Sequence, residues 1–200
     1  TISPTALAKV ESNRLYQRPR HVAAMESKLL ALAGRRIRFL MANMPPRHGK
    51  SELISKYFPA WYLMTFPTHR VILVSYQDGF AASYGRRVRD IVAGYGHLFG
   101  TGVKADVSAQ ADWETWQGGG MLTAGVGGAI MGRGADLIII DDPHKNAEEA
   151  LSQTMRDKVW DFWQSSLFQR LMPGGVVVVI QTRWHEDDLT GRLLAEILRR

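Results

Sequence analysis

Met44-Pro45-Pro46-Arg47-His48-Gly49-Lys50-Ser51 follows a short apolar run, Ile37 to Ala42, and precedes Leu53, Ile54, Tyr57 and Trp61 at helical spacing. The order is strand, loop, helix, with Pro59 expected to bend the helix. A loop in that place has a definite chemistry. Free backbone N–H groups at a helix N-terminus close around the phosphates of a nucleotide, Lys50 adds a point charge to the β- and γ-phosphates, and the Ser51 hydroxyl takes a coordination position on Mg²⁺. The usual pattern G-x-x-x-x-G-K-[ST] has Met44 in place of its first glycine. The reading therefore rests on position, against the plainer alternative of an ordinary helix start.

Downstream, Leu137-Ile138-Ile139-Ile140 ends in Asp141-Asp142-Pro143. An apolar run closed by paired carboxylates puts an acid at the carboxyl end of a central strand, where open α/β sheets bind ligands. Asp141 would hold Mg²⁺ through its water shell. Asp142 falls where many motor ATPases carry a glutamate that polarises the attacking water. Being one methylene shorter, it either brings that water closer or leaves the task to Glu148 or Glu149; its plainer reading is a turn residue before Pro143. Together the two stretches imply ATP and Mg²⁺ as ligands.

The rest of the chain alternates in the same way. The first 35 residues read as a helical approach, with Val22, Met25, Leu29, Leu30 and Leu32 in phase before Gly34. Val71 to Val74 predicts a second buried strand, and Asp78 to Val92 a helix capped by Ser75 or Asp78. Trp113, Thr115 and Trp116, the glycines at 118 to 120, and Met121 to Thr123 predict a hairpin, with a mobile loop after it through Arg133. A long helix over 147–171, a strand over 176–180 and a last helix from about Asp187 complete the pass. Strands without strict alternation, separated by helices, predict an α/β fold: a three-layer, mostly parallel sheet buried on both faces, of P-loop NTPase type.

Bulk properties bound the partners. With 46% of 200 residues apolar, one domain over 1–200 is expected, a helical segment at 1–35 leading into a core at 36–200. Lys and Arg number 25 against 19 Asp and Glu, a net charge of +6 that favours a polyanionic partner or is simply a basic surface. The absence of cysteine excludes disulfides and thiolate metal sites and suits a reducing cytosol. No apolar run is long enough to span a bilayer and no secretory signal opens the chain, so a soluble intracellular protein without a membrane partner is expected. Leu198, Arg199 and Arg200 fall inside a helical run with no stop signal, so a further domain is expected beyond residue 200.

Met44 to Glu52, Asp136 to Pro143, and Gln181-Thr182-Arg183-Trp184-His185-Glu186-Asp187-Asp188-Leu189 resemble, in that order, the motifs of the large terminase subunits of tailed bacteriophages. The resemblance spans nearly the whole chain. It implies the ATP-hydrolysing motor domain of a DNA-packaging machine on an additional-strand P-loop fold, usually followed by a nuclease domain of ribonuclease H type. It also implies as partners double-stranded DNA, the portal of the procapsid, the small terminase subunit and further copies in a homo-oligomeric, pentameric ring. The setting would be the host cytoplasm, with transient docking on the procapsid.

By the same resemblance, Pro46, Arg47, His48, Gly49, Lys50, Ser51 and Glu52 would bind ATP, and Ser51 and Asp141 would hold Mg²⁺. Lys50 and Asp142 would be catalytic, with Arg47 sensing the γ-phosphate. Arg133, between Gly132 and Gly134, would be an arginine finger offered to a neighbouring subunit, the alternatives being DNA or solvent. Gln181, Thr182 and Arg183 would couple the presence of γ-phosphate to motion; Arg183 rivals Arg133 as a phosphate contact or pairs with Glu186 or Asp187. The adenine contact is expected from Tyr16, Gln17, Arg18 and His21. His185 to Asp188 reads as helix capping rather than a metal site, Arg86, Arg87 and Arg89 as a solvated or DNA-facing helix side, and Trp160, Phe162, Trp163 and Leu167 as core. A helicase or remodelling translocase, and a regulatory module that binds nucleotide without turnover, are the competing readings.

Overall fold

The apolar runs at 71–74, 137–140 and 176–180 have no polar side chain to turn toward water, and each becomes an inner strand covered on both faces. In the computed structural model, which describes residues 2–45, 47–130 and 132–199, seven strands form one sheet: β1 (Phe39–Asn43), β2 (Arg70–Ser75), β3 (Val103–Ser108), β4 (Asp112–Thr115), β5 (Gly120–Gly125), β6 (Ala135–Asp141) and β7 (Leu171–Gln181). Their spatial order is β1-β7-β6-β2-β5-β4-β3. The first five in that order are mutually parallel, while β4 runs antiparallel to both neighbours.

Alternate residues of the central strands feed two cores. On one face Leu73, Ile139 and Val178 pack against α1 (Pro4–Glu11), α2 (Arg20–Ala33), α3 (Phe58–Thr65) and α4 (Asp78–Tyr95). On the other, Ile72, Ile138 and Val177 pack against α6 (Gln153–Phe162) and α7 (Leu189–Leu198), with Phe162, Trp163 and Leu167 buried there and Trp160 packed against them. The chain leaving β1 thus crosses one face and the chain leaving β6 the other, which opens a crevice at the carboxyl ends of the strands between them. Close approach at Gly85 of α4 helps fix the layers: a Cβ there would lie 2.3 Å from the Gln110 carbonyl oxygen. Trp113, fully buried under that helix, donates its indole N–H to the Gly85 carbonyl at 3.2 Å.

Several local expectations are corrected. The helix read over 147–171 is interrupted: α5 (Ala147–Leu151) stops at Ser152, whose extended backbone and side-chain bond to the Met155 N–H begin α6, and a π turn (Trp163–Leu167) and a 3-10 turn (Phe168–Arg170) follow. Strand β7 starts at Leu171, not Val176, and a register shift between Ala135 and Leu137 accommodates its Pro-Gly-Gly sequence. Strand β3 was not anticipated, because its alternation is polar and it lies exposed at the sheet edge. Neither Ser75 nor Asp78 caps α4: Gln77 occupies the cap position, and the Asp78 carboxylate accepts instead from Gly125 N–H at 2.6 Å. The helix after the 44–51 loop begins as a π segment (Glu52–Tyr57) before Pro59 enters the first turn of α3. Among the described residues no helix is long and apolar enough to cross a membrane.

The two helices of the N-terminal segment are tied to each other through one buried acid. Glu26 on α2 accepts from the Thr5 N–H at 2.8 Å, the Thr5 hydroxyl at 2.6 Å and the Arg18 guanidinium at 2.9 Å. Burial opposes ionisation of Glu26, but these hydrogen bonds outweigh it and hold the carboxyl below the usual glutamate range. A depressed carboxyl contributes stability that is present above its unfolded pKa and lost as pH falls through its folded one. We therefore expect Glu26→Gln to flatten the loss of thermal stability between about pH 5 and pH 3 relative to wild type. Melting curves that fall in parallel for both proteins would assign the acid sensitivity to another group.

Candidate nucleotide site at the carboxyl ends of the strands

The aligned ends of β1, β7, β6 and β2 put Ala42, Ile180, Asp141 and Ser75 at one level. Everything chemical in the crevice grows from that level. Beyond β1 the chain turns through Arg47 and Gly49, both left-handed (φ 64° and 76°), and re-enters a helix at Lys50. No side chain crowds Gly49, the nearest atom to an added Cβ being Val22 Cγ2 at 4.0 Å, so the backbone angle is what calls for glycine. The His48 carbonyl lies 3.2 Å from His21 Nε2, which ties the loop to the start of α2. Pro46 lies outside the described residues.

Asp141 is fully buried, and each of its oxygens has a hydroxyl donor: Ser51 at 2.9 Å and Ser55 at 2.6 Å. Its backbone carbonyl accepts from Ser75 at 2.7 Å. Burial pushes the Asp141 carboxyl up to about 6, against the Ser55 hydrogen bond, with the Asp142 charge raising it further and Ser51 and Lys50 opposing. Ser55 was missed from the sequence. The signal was a serine four residues after Ser51 inside the apolar run Leu53, Ile54, Tyr57, where an unpartnered hydroxyl would be costly.

Asp142 leaves the strand through a left-handed turn (φ 42°), which aims its side chain away from Asp141. One oxygen accepts from Lys50 Nζ at 2.7 Å and the other from Thr182 N–H at 2.7 Å. Lys50 Nζ also donates to Thr182 Oγ1 at 2.8 Å. Lys50, only 5% exposed as a residue, therefore has its ammonium bracketed by the ends of β6 and β7. In front of it opens a cleft of about 430 Å³ bordered by Arg47, Ser51, Glu52 and Asp142, with Lys145 and His144 on one side. An aromatic wall of Tyr76, Phe80 and Trp184, not singled out in the sequence, lines it; the rings of Tyr76 and Phe80 are tilted at 35° with centroids 5.0 Å apart.

Not every expected residue comes here. Gln181 is buried behind the cleft with its amide unpartnered. Arg183 turns away and pairs with Asp188 at 2.7 Å, rather than with the side chains of Glu186 or Asp187. Asp188 caps α7 through the Gly191 N–H at 2.9 Å, and Asp187 pairs with Arg192 and Arg156, in keeping with the capping reading. Gln17 lies in a separate groove with Lys9, Arg14 and Arg18; Arg18 is engaged by Glu26, and Tyr16 sets its edge against Tyr57 at 5.3 Å. Arg133 precedes β6 and so stands at the opposite end of the sheet from Asp141. It is not held out on a free loop: it is half-buried and paired with Asp112 at 2.7 Å. Glu148 and Glu149 do not border the cleft, and Glu149 accepts from the Lys145 N–H at 2.8 Å.

The donor set suits a phosphate chain with a hard divalent cation. Among the described residues no cluster of three or more His, Cys, Asp or Glu side chains forms a dedicated metal cage. The Ser51 hydroxyl spends its proton on Asp141, which leaves its lone pairs for a cation. A single hydroxyl backed by one carboxylate fits Mg²⁺ held largely by water and phosphate oxygens.

No curated protein sequence matches the chain. The crystal structure of the HK97 bacteriophage large terminase superposes with a TM-score of 0.60 at 12% identity, covering 92% of this chain and 38% of that one, so the chain spans well under half of that protein's length. The family model for the terminase large subunit, T4likevirus-type, N-terminal, matches residues 41–195, from within strand β1 to within helix α7 and across the whole Lys50–Asp142 cleft. The chain therefore belongs to the large terminase subunit family, of which it carries the N-terminal domain.

Proposed function

We propose that this domain binds and hydrolyses ATP with Mg²⁺ and that its turnover drives double-stranded DNA into a procapsid. One observation carries the reading: Lys50 Nζ is held at 2.7 Å from Asp142 and 2.8 Å from Thr182, beside a Ser51–Asp141 pair at 2.9 Å. A cation, a hydroxyl backed by one buried acid, a second acid at the border and a left-handed backbone turn converge on one cleft. Strand β7 standing between β1 and β6 supports the additional-strand P-loop reading.

In this scheme the 47–51 turn receives the phosphates and Lys50 exchanges Asp142 and Thr182 for phosphate oxygens. That exchange frees the Asp142 carboxylate to orient the attacking water and take its proton. Asp142 fills this role better than Glu148 or Glu149, because it alone borders the cleft. The Thr182 hydroxyl, released in the same event, is placed to register whether γ-phosphate is present. Arg47, at the mouth, adds the charge that a dispersed phosphoryl transition state requires. Mg²⁺, when bound beside Ser51 and Asp141, supplies neutralisation of the phosphate charge. Within one chain Arg133 cannot serve this cleft, so a trans role for it requires a neighbouring subunit and release from Asp112. Ring assembly, docking on the portal, the small subunit as partner, adenine contact by Gln17, a host cytoplasmic setting and a nuclease carried outside these residues all belong to the same proposal.

Three substitutions test it. Lys50→Ala in the full-length protein should abolish ATP-dependent phosphate release; wild-type release would end the assignment. Asp142→Asn should retain nucleotide binding, measured with a fluorescent ATP analogue, while lowering turnover about 10²–10⁴-fold, the range for loss of a general base. Equal loss of binding and turnover would make Asp142 a structural partner of Lys50 instead. Ser55→Ala should cost about 1.5–3 kcal/mol in urea unfolding, the worth of a hydrogen bond to a buried carboxylate, and a change below about 0.5 kcal/mol would mean that another donor replaces it.

A further inference from the structure

Five strands of the sheet are mutually parallel, so their amino ends share the edge remote from the Lys50 cleft. Along that edge the chain sets cations on nearly every strand. Arg38, just before β1, donates to the Gly175 carbonyl of β7 at 3.3 Å. Arg35 donates to the Gly174 carbonyl and lies 3.7 Å from Asp136 on β6, which in turn accepts from the Arg70 N–H of β2 at 2.9 Å. The Arg70 side chain is 4.0 Å from Glu114 on β4, and Glu114 also accepts from Lys104 of β3 at 2.9 Å and faces Arg133 at 3.8 Å. The contacts run without a break across the sheet.

With Arg36 and Arg170 the band holds seven cations against the carboxylates of Asp112, Glu114 and Asp136, an excess that accounts for most of the chain's net +6. Arg36 and Arg38 are exposed and, among the described residues, no carboxylate pairs with either. Arg170, the residue before β7, has a buried Nε without a partner. The acids therefore order the arginines without neutralising the edge. From β1 to β4 the band extends about 24 Å at strand spacing, roughly twice the ~12 Å width of a DNA major groove, enough to reach phosphates on both sides of it. A protein partner would favour an apolar centre depleted of charge, whereas the exposed apolar side chains here, Phe39, Trp116, Phe168 and Met172, come from separate strands and turns interleaved with the charged band.

We propose that this amino-end edge is the surface on which the domain holds the phosphate backbone of double-stranded DNA, read by charge and not by sequence. The assignment rests on the DNA-translocating reading above. It puts polyanion and nucleotide at opposite ends of the same strands, β6 spanning about 20 Å between Arg133 and Asp141 at strand rise.

The test uses full-length protein and fluorescence anisotropy of labelled duplex DNA over a salt series. Arg36→Ala combined with Arg38→Ala should weaken binding about tenfold near 0.1 M salt and make the slope of log K against log salt shallower by about two, equally for two unrelated sequences. Arg36→Lys with Arg38→Lys should keep the slope, and triple alanine substitution at Arg86, Arg87 and Arg89 on α4 should leave it at the wild-type value. DNA-independent ATP turnover should be unchanged in the double variant. Wild-type affinity and slope in the double alanine variant would overturn the assignment. So would loss in the α4 variant in its place, or an altered oligomeric state by light scattering at unchanged DNA affinity, which would give the edge to a second copy. Failure of the motor reading is seen separately, as ATP turnover surviving in Lys50→Ala, because anisotropy reports the edge directly.

Discussion

Asp141 ends a strand with no water around it, and a carboxylate in that position is tolerable only if each of its oxygens finds a donor. Ser51 and Ser55 provide those donors from the segment that follows β1, while Ser75 fixes the Asp141 carbonyl from the neighbouring strand β2. To satisfy one acid, the chain must bring β1's exit, β6 and β2 to a common level and hold the helix after the loop at a fixed rotation. Much of the cleft's geometry follows from that constraint. The loop turns where it does because the helix it enters is already pinned by two serines.

Asp142 shows how the same constraint yields a second, different acid one residue on. A continuing strand would place it on the opposite face of the sheet; a left-handed turn re-aims it at Lys50 and at the end of β7. Adjacent aspartates thus acquire separate environments, one sealed among hydroxyls and one bordering the cleft. The strain of a left-handed aspartate, of order 1–2 kcal/mol, is offset by two hydrogen bonds to its carboxylate. Because Lys50, Asp142 and Thr182 share one set of contacts, any ligand that draws Lys50 away alters the junction of β6 and β7 as well. The contacts of Lys50 thus connect the cleft to the sheet and then, through Arg183 and Asp188, to the start of α7.

The two ends of the sheet differ in chemistry for a reason rooted in topology. Parallel strands align all their carboxyl ends on one edge and all their amino ends on the other. At the carboxyl edge, helices leave toward both faces and open a crevice. At the amino edge the chain only arrives, leaving short loops whose side chains point into solvent. Arginines there are half-buried or exposed, and the three carboxylates among them set their order along the edge.

The sequence by itself determined the layered α/β class, the strand–loop–helix around Lys50 and the carboxylates ending β6, because apolar runs, glycine positions and paired acids are local signals carried by consecutive residues. It also carried the family, through three long motifs in order. Only the tertiary structure decided that Thr182 reaches Lys50 while Gln181 and Arg183 turn elsewhere, since β7 ends at Gln181 and the course of the chain beyond it is set by packing. The interruption of the helix at Ser152 and the early start of β7 were equally illegible, because a serine cap and a bulge are chosen by packing against neighbours. Ser55, the aromatic wall of Tyr76, Phe80 and Trp184, and the arginine edge were all present as residues. What made them a site was the meeting of strands distant in the chain, which no local pattern encodes.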